Sequence, residues 1–376
     1  MEKSLPPGSS APAATAPRQD KTLYSIQALR FIAAALVVVS HIRTEYGMAP
    51  FGSAGVDIFF VMSGFIIHYV TQNGAPQFFT RRLIRIVPLY WMGTLGLAAI
   101  AMVAPQILNN VDFSITRLLG SLFFYPIWDA NVQYHLPLLM LGWSLNYEIL
   151  FYLLYFVALN ISHRYRMQIC SVMLLALTAI HPFVAPESAL SYWSDGYILE
   201  FIYGMVLAQL VFSKIFLQNA KLHWLFSIAG LFLFCYLLLP STGYISPEMA
   251  LNKWVRVVLI GLPSTALVLL TLACEQSIRR FSPAVKSSIN FLGELSYPIY
   301  IFHVYVMGAI KRVGALEWGM VIYCSTVAIA TLSFSAAIFL LYEKPVRNYL
   351  TARLIRRKPK TPTPFDGSPS QPAAMA

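Results

Sequence analysis

Two ionisable residues lie eleven positions apart in an apolar run near the start of the chain, Arg30 and His41. Eleven residues are close to three helical turns, so a helix places both side chains on one face, roughly 16 Å apart along its axis. A free imidazole has a pKa near 6.5 and can take a proton from a hydroxyl. The spacing therefore predicts a cation and a general base on the same face of one helix.

Two further ionisable residues lie inside apolar runs, Glu148 in GWSLNYEILFY and His303 in LSYPIYIFH. His41, Glu148 and His303 each lie about 7–10 Å from the outer, non-cytoplasmic end of the predicted span that carries them. A carboxylate beside a histidine can fix its tautomer and stabilise the imidazolium. We therefore expect one layer of catalytic residues. In this layer Glu148 orients His41, and His303 assists His41 or contacts the substrate hydroxyl.

A second, basic layer is expected at the cytoplasmic side, where Arg30 is joined by Arg82 and Arg85 and by two neighbours, Arg81 and His68. Such a cluster suits a ligand that carries phosphate groups. The two layers together are consistent with acyl transfer across a membrane, with the donor bound on one side and the acceptor on the other.

Each of these residues also has a simpler interpretation. Arg30 could extend its charge to the lipid headgroups. His41 could be a hydrogen-bonded core histidine, and Glu148 a structural carboxylate paired with an arginine. The three arginines from Arg81 to Arg85 could serve only as topology signals. Ser63 in FFVMSGF is a candidate nucleophile, but Ser-Gly in an apolar helix more often marks close helix packing, and His68 is better explained by interfacial packing.

The composition sets the class of protein. The chain has 376 residues, of which 57% are hydrophobic and 11% are charged. This excludes a soluble enzyme, a disordered protein and a DNA-binding module, and it favours a multi-pass membrane protein. The net charge of +11 does not indicate a nucleic-acid partner, because the cations lie in short loops between apolar runs. The four cysteines form no C-x-x-C pair, so neither a metal site nor a redox motif is expected.

We predict an all-α integral membrane protein with about ten transmembrane helices, since a span needs about 20 apolar residues. The predicted spans are 24–46, 54–72, 87–104, 141–160, 167–185, 191–213, 222–240, 254–273, 289–310 and 317–343. The segment 113–128 is apolar but short, and we interpret it as interfacial or re-entrant, with an eleventh span as the alternative.

The positions of the cations predict the topology. With both termini in the cytoplasm, most of the 27 lysines and arginines fall in cytoplasmic segments, and Lys253 and Arg256 fit this rule least well. The expected domains are a disordered cytoplasmic tail over 1–22, a membrane domain over 23–350, and a basic, then disordered, cytoplasmic tail over 351–376. A bacterial inner membrane is the expected location.

The motifs resemble those of the membrane acyltransferase-3 family, and most of all its small exopolysaccharide-modifying O-acetyltransferases. The resemblance covers roughly residues 22–350. It rests on R-x10-H (Arg30 to His41), F-F-x-x-S-G-F (Phe59 to Phe65), R-x-x-R (Arg82, Arg85), G-W-S-L-x-x-E (Gly142 to Glu148), S-Y-P-x-Y-x-x-H (Ser296 to His303) and Y-E-K-P (Tyr342 to Pro345).

The resemblance implies an acyl-CoA donor, usually acetyl-CoA, and a hydroxyl of a polysaccharide or lipid-linked oligosaccharide as acceptor. It implies that His41 is central to catalysis and that Arg30, Arg82 and Arg85 serve the donor, with Ser63 beside them. Expected partners are the acceptor and membrane lipids, and other polysaccharide-synthesis proteins are further candidates.

Two other functions fit the pattern of apolar spans. A secondary transporter or glycan flippase would also carry ionisable residues inside the membrane, but such folds usually show Gly- or Pro-broken helices in matching halves, and we find no such pair. A scaffold of a polysaccharide-synthesis complex would explain the spans but not the intramembrane Arg, His and Glu residues.

Overall fold

A computed structural model describes the chain from residue 22 to residue 355, apart from 49–52, 73, 75–76, 109–112 and most of 213–252. The two predicted tails therefore lie almost wholly outside the described residues, and so does most of the predicted span 222–240. Every structural statement below refers to the described residues.

The described chain is built almost entirely of helices, joined by short turns and one small hairpin. In chain order the helices are α1 (Tyr24–Glu45), α2 (Ala54–Val70), α3 (Phe78–Val103), α4 (Ile115–Leu122), α5 (Gly142–Ile161), α6 (Arg166–Ala179), α7 (Ala189–Trp193), α8 (Leu199–Phe212), α9 (Lys253–Arg256), α10 (Leu262–Ala273), α11 (Glu275–Arg279), α12 (Pro283–Arg312), α13 (Met320–Ile338) and α14 (Lys344–Leu354). Single π-helical turns at Val257–Gly261 and Phe339–Glu343 join α9 to α10 and α13 to α14.

Helices α1 and α2 form the centre of the fold. α1 packs along α12 and α2, and α2 packs along α8. Three apolar clusters surround these contacts, and Phe59 of α2 packs against all three of them. The helices that carry Arg30, Ser63 and His303 are thus held side by side by apolar packing.

Six described helical segments are long and apolar enough to cross a membrane, which makes the chain a multi-pass membrane protein. They are Tyr24–Glu45, Phe78–Val103, Gly142–Ile161, Arg166–Phe183, Lys253–Arg279 and Met320–Leu354. The all-α membrane fold is confirmed to this extent. The expected number of ten spans is not reached among the described residues, and the position of the termini stays a prediction.

Three predicted spans within the described residues are not among those six, two because of polar residues and one because of its length. The predicted span 191–213 is interrupted, because α7 ends at Trp193 and a 3₁₀ turn precedes α8, with the buried Asp195 between them. Helix α12 is 30 residues long but carries Glu294 and His303. Helix α2 is apolar but only 17 residues long.

The segment 113–128 forms the short helix α4 and is too short to cross a bilayer. Its eight residues rise about 12 Å. The Trp91 Nε1 atom donates to the Leu122 carbonyl at 2.8 Å, so α4 ends beside the middle of α3. A two-stranded hairpin, β1 (Trp128–Asp129) and β2 (Tyr134–His135), follows, and Arg117 of α4 pairs with Asp129 at 2.7 Å.

The two cations that fit the positive-inside rule least well are both neutralised. Arg256 donates through Nε to Asp57 Oδ1 at 3.0 Å, and Lys253 pairs with Asp195. Asp57 and Arg256 are both buried. A cation held by a buried carboxylate contributes little net charge, so these two positions carry little weight in the topology prediction.

Glycines allow the closest helix contacts around α2. A Cβ added at Gly64 would lie 2.1 Å from the Phe201 carbonyl oxygen of α8, and one added at Gly204 would lie 2.0 Å from the Val61 oxygen. The glycine of the FFVMSGF motif is therefore required for the approach of α8, as small residues often are at helix contacts in membranes.

Substituting Gly64 by Ala should destabilise the fold, because the new methyl group meets backbone rather than a flexible side chain. Overpacking of this kind costs about 1–3 kcal/mol. The measurement is the thermal unfolding temperature of the purified protein in detergent.

Gly96→Ala is the matched control, since Gly96 lies inside α3 and a Cβ added there meets nothing within 4 Å. This variant should be as stable as the wild type or slightly more so, because alanine is the better helix former. Equal stability of the two variants would show that the contact between α2 and α8 is looser than described.

Candidate active site

A cavity of about 540 Å³ lies between α1, α2, α3, α5 and α12. Its volume is within the about 300–1,000 Å³ range of small-molecule sites. One end lies near Leu23 and Val70, and the other is lined by Val56, Ser144 and Tyr300. Between Val56 and Val70 the cavity follows about 21 Å of α2. We call it the central cavity, and its elongated shape suits an extended ligand.

Three arginines line the central cavity, Arg30 of α1 and Arg82 and Arg85 of α3. In the described part of the chain, none of their guanidinium groups has a carboxylate oxygen within 4.0 Å. Arg30 donates to the Gln27 amide oxygen at 2.9 Å, and the Arg82 Cζ atom lies 6.0 Å from the centroid of the Tyr152 ring. Intramembrane cations without a carboxylate partner favour an anionic ligand.

Two carboxylates also line the central cavity, and both have partners. Glu148 Oε1 accepts from the Ser63 hydroxyl at 2.9 Å and from the Tyr152 hydroxyl. Glu294 Oε2 accepts from Arg347 at 2.5 Å. Three cations thus face two carboxylates that are already engaged, so the cavity keeps a positive character.

The expected contact between Glu148 and His41 is not present, because Glu148 lies with the arginines in the central cavity. The depth estimate failed since α5 begins well inside the bundle. Its first residue packs so closely on Tyr90, in the middle of α3, that a Cβ added at Gly142 would lie 2.1 Å from the Tyr90 hydroxyl. Counting from the start of α5 therefore placed Glu148 too close to the outer surface.

The structure does bring His41 and His303 together. His303 Nε2 lies 3.3 Å from His41 Nδ1, and the ring centroids are 4.8 Å apart. His303 is fully buried and His41 is partly exposed. We call these two residues the histidine pair.

Backbone carbonyls fix the tautomers of the histidine pair. A carbonyl oxygen only accepts, so a ring nitrogen that bonds to it must carry the proton. His303 Nδ1 lies 3.0 Å from the Ile299 oxygen, and a neutral His303 therefore presents Nε2 as an acceptor. His41 Nδ1 lies 2.9 Å from the Val37 oxygen and faces that acceptor. In a neutral His41 the Nδ1–H is shared between two acceptors, and Nε2 keeps a free lone pair.

The His41 tautomer is the one that a general base requires. In a catalytic triad an acid holds the histidine with the proton on one nitrogen and the lone pair on the other. Here His303 Nε2 and the Val37 carbonyl occupy that orienting position, which sequence reasoning had given to Glu148.

Tyr300 lies between the central cavity and the histidine pair. It lines the cavity, and its ring centroid is 6.3 Å from that of His303, three residues further along α12. Its hydroxyl lies 2.7 Å from Ser144 Oγ and donates to the Leu141 oxygen at 3.2 Å. The cavity and the histidines are therefore neighbours separated by a single side chain.

The remaining candidates take different positions. Ser63 lines the central cavity and donates to Glu148, so its hydroxyl proton is already used. Arg81 is exposed and does not line the cavity. His68 is buried and lies within hydrogen-bond distance of the Tyr155 hydroxyl at 3.0 Å and of Gln209 at 3.2 Å. The described residues contain no cluster of three or more metal-binding side chains.

Sequence reasoning missed several polar residues of the site. Gln27 joins Arg30 to Asn290 of α12, since its amide nitrogen donates to the Asn290 oxygen at 3.1 Å. Tyr152 lies between Glu148 and Arg82. Both follow helical spacing, with Gln27 three residues before Arg30 and Tyr152 four residues after Glu148. Examining the i−3 and i+4 neighbours of each ionisable residue would have found them.

A sequence model of the acyltransferase-3 family, described as an acyltransferase domain, matches residues 23–340. The chain belongs to this family. It is therefore a membrane acyltransferase that uses an acyl donor, and the central cavity and the histidine pair both lie within the matched region.

Two curated proteins from rhizobia are similar to the chain over most of their length. The exopolysaccharide production protein ExoZ of Rhizobium meliloti (strain 1021) is 28% identical over 311 residues, which cover 81% of this chain and 92% of that protein. Nodulation protein 10 of Rhizobium leguminosarum bv. viciae is 26% identical over 363 residues, which cover 82% of this chain and 85% of that protein. No solved structure matches the chain.

The tautomer assignment can be tested by NMR on protein with ¹⁵N-labelled histidine in nanodiscs. The seven histidines are few enough for the His41 signals to be assigned by comparison with His41→Gln. At a pH where the ring is neutral, His41 should be protonated at Nδ1, because two acceptors face that atom. A His41 ring protonated at Nε2 would contradict the assignment.

Proposed function

We propose that the protein transfers an acetyl group from acetyl-CoA, bound in the central cavity from the cytoplasmic side, to a hydroxyl of an extracytoplasmic or lipid-linked polysaccharide. One observation carries the proposal. Three arginines that have no carboxylate oxygen within 4.0 Å in the described part of the chain line one elongated cavity, and the histidine pair lies one side chain beyond its far end.

The arginines are suited to the phosphate groups of the donor. Guanidinium groups bind phosphate oxygens in a bidentate manner. Arg82 and Arg85 lie at the start of α3, near the cavity end formed by Leu23 and Val70, and would bind the phosphates. The pantetheine arm would then follow α2 along apolar walls, past Ser63 and Glu148. Glu148 accordingly belongs to donor binding in this proposal.

The far end of the central cavity would hold the thioester, and the acceptor hydroxyl would enter past the edge of Tyr300, between the acyl carbon and His41 Nε2. His41 Nε2 would remove the proton of the acceptor hydroxyl, whose oxygen attacks the acyl carbon. The C–O bond forms, the C–S bond breaks, and the imidazolium returns its proton to the departing thiolate to give CoA. The Nδ1–H of His41 would donate to His303 while the ring is charged. A route in which His41 is itself transiently acylated uses the same lone pair.

The acceptor class comes from similarity. ExoZ is named as an exopolysaccharide production protein and is similar along 92% of its length. We therefore propose an exopolysaccharide or its lipid-linked precursor as the acceptor, and a bacterial inner membrane as the location. A transporter or flippase without acyl-transfer chemistry is less well supported, because the chain belongs to an acyltransferase family.

The test compares donor turnover by purified variants in nanodiscs, with radiolabelled acetyl-CoA and a panel of exopolysaccharide fragments. His41→Ala should lower kcat by about 10²–10⁴-fold, the usual contribution of a general base. Arg82→Gln should mainly raise KM, because the guanidinium binds a part of the donor that does not react.

Arg81→Gln is the matched control, since Arg81 is the exposed neighbour of Arg82 and does not line the cavity. Its KM should equal that of the wild type. Equal effects of the two arginine substitutions on KM would show that Arg82 does not bind the donor and that the basic layer acts only as a topology signal. Full activity of His41→Ala would exclude the proposed base.

A further inference from the structure

Three residues line the far end of the central cavity, Phe59 of α2, Ser144 of α5 and Tyr300 of α12, and we call them the end wall. The Phe59 and Tyr300 rings meet edge to face, with centroids 6.1 Å apart and an angle of 70°. Ser144 Oγ lies 2.7 Å from the Tyr300 hydroxyl. Three helices therefore contribute one side chain each to this end of the cavity.

The end wall is held firmly in place. Tyr300 is 5% exposed, and its hydroxyl is within hydrogen-bond distance of both Ser144 and the Leu141 carbonyl. Phe59 packs against all three apolar clusters of the fold, so its displacement would disturb each of them. Close-packed interiors of this kind resist the entry of extra atoms.

The end wall is uncharged, and its two hydroxyls, those of Ser144 and Tyr300, lie within hydrogen-bond distance of each other. The cations of the cavity lie toward its other end, because Arg30 is in the second turn of α1 and Arg82 and Arg85 are in the first turns of α3. Near the wall, the cavity is lined by Val56, Phe59 and the Tyr300 ring. A charged group placed there would lose water without gaining a partner.

We propose that the end wall sets the acyl specificity of the enzyme, with Phe59 and Tyr300 limiting the acyl group to a short, uncharged chain such as acetyl. This inference rests on the proposed function, in which acyl-CoA occupies the central cavity. With the phosphates at the arginines, the acyl end points at the wall. An acetyl group stops in front of Phe59, whereas each further methylene needs the space of that ring. A succinyl group would also bring a carboxylate to an end of the cavity that no cation lines among the described residues.

The test measures the binding of free CoA, acetyl-CoA, butyryl-CoA and succinyl-CoA to purified protein by calorimetry, which needs no acceptor. The wild type should bind butyryl-CoA at least about tenfold more weakly than acetyl-CoA, since apolar pockets discriminate by about 10–200-fold per methylene. Phe59→Leu should bring the ratio of the dissociation constants of butyryl-CoA and acetyl-CoA close to one, because it removes ring volume from the wall. Succinyl-CoA should bind weakly to both proteins, since the substitution adds no cation.

Phe79→Leu is the matched control, because Phe79 packs on Phe156 and does not line the cavity. It should keep the wild-type ratio. Tyr300→Leu is a second wall variant and should lower the ratio as Phe59→Leu does. If either wall variant proves unfolded by size-exclusion chromatography and thermal unfolding, the other decides.

The outcomes separate the two proposals. If neither free CoA nor any acyl-CoA binds to folded wild-type protein, the proposed function fails, and this inference fails with it. If CoA and acetyl-CoA bind, but butyryl-CoA binds equally well or the ratio is unchanged in the folded wall variants, only the end-wall proposal is overturned.

Discussion

A guanidinium group among apolar helices is stable only where other groups compensate for its lost hydration, and this constraint organises the structure around the central cavity. Arg256 is compensated by Asp57, and Arg347 by Glu294. Arg30, Arg82 and Arg85 have no carboxylate at that distance among the described residues, and they line one cavity with Glu148, which is engaged by two hydroxyls. An anionic ligand would complete this charge arrangement, and the family requires an acyl donor.

The same helices that hold the arginines also hold the histidine pair. Helix α1 carries Arg30 and His41, and α12 carries Glu294 and His303. Their packing places the pair beyond Tyr300, which separates it from the cavity. The proposed function places donor binding and proton transfer at two levels of this helix pair, where the Val37 carbonyl of α1 and His303 both face Nδ1 of His41.

Helical spacing was the reliable part of the sequence. It placed Arg30 and His41 on one helix, whereas the lengths of the apolar runs predicted the spans, and the cluster of cations with its R-x-x-R motif indicated Arg82 and Arg85. Contacts between helices were harder to predict, because the depth of each residue in the membrane was counted from the end of its own helix. This assumption held for His41 and His303 but failed for Glu148, since α5 starts inside the bundle against Tyr90. The prediction of ten spans is not confirmed among the described residues, where a turn with the buried Asp195 interrupts the apolar run before α8. The partners of Lys253 and Arg256 could not be found from sequence, because Asp195 and Asp57 lie far from them along the chain.

The central claim is that the donor occupies the central cavity with its thioester beside Tyr300 and its phosphates at the arginines. The most direct measurement is a cryo-electron microscopy structure of the protein in nanodiscs with a non-hydrolysable thioether analogue of acetyl-CoA. The account predicts phosphate density within hydrogen-bond distance of Arg82 or Arg85, and the acyl end against Phe59 and Tyr300. Density for the analogue outside this cavity, or in the reverse orientation, would contradict it.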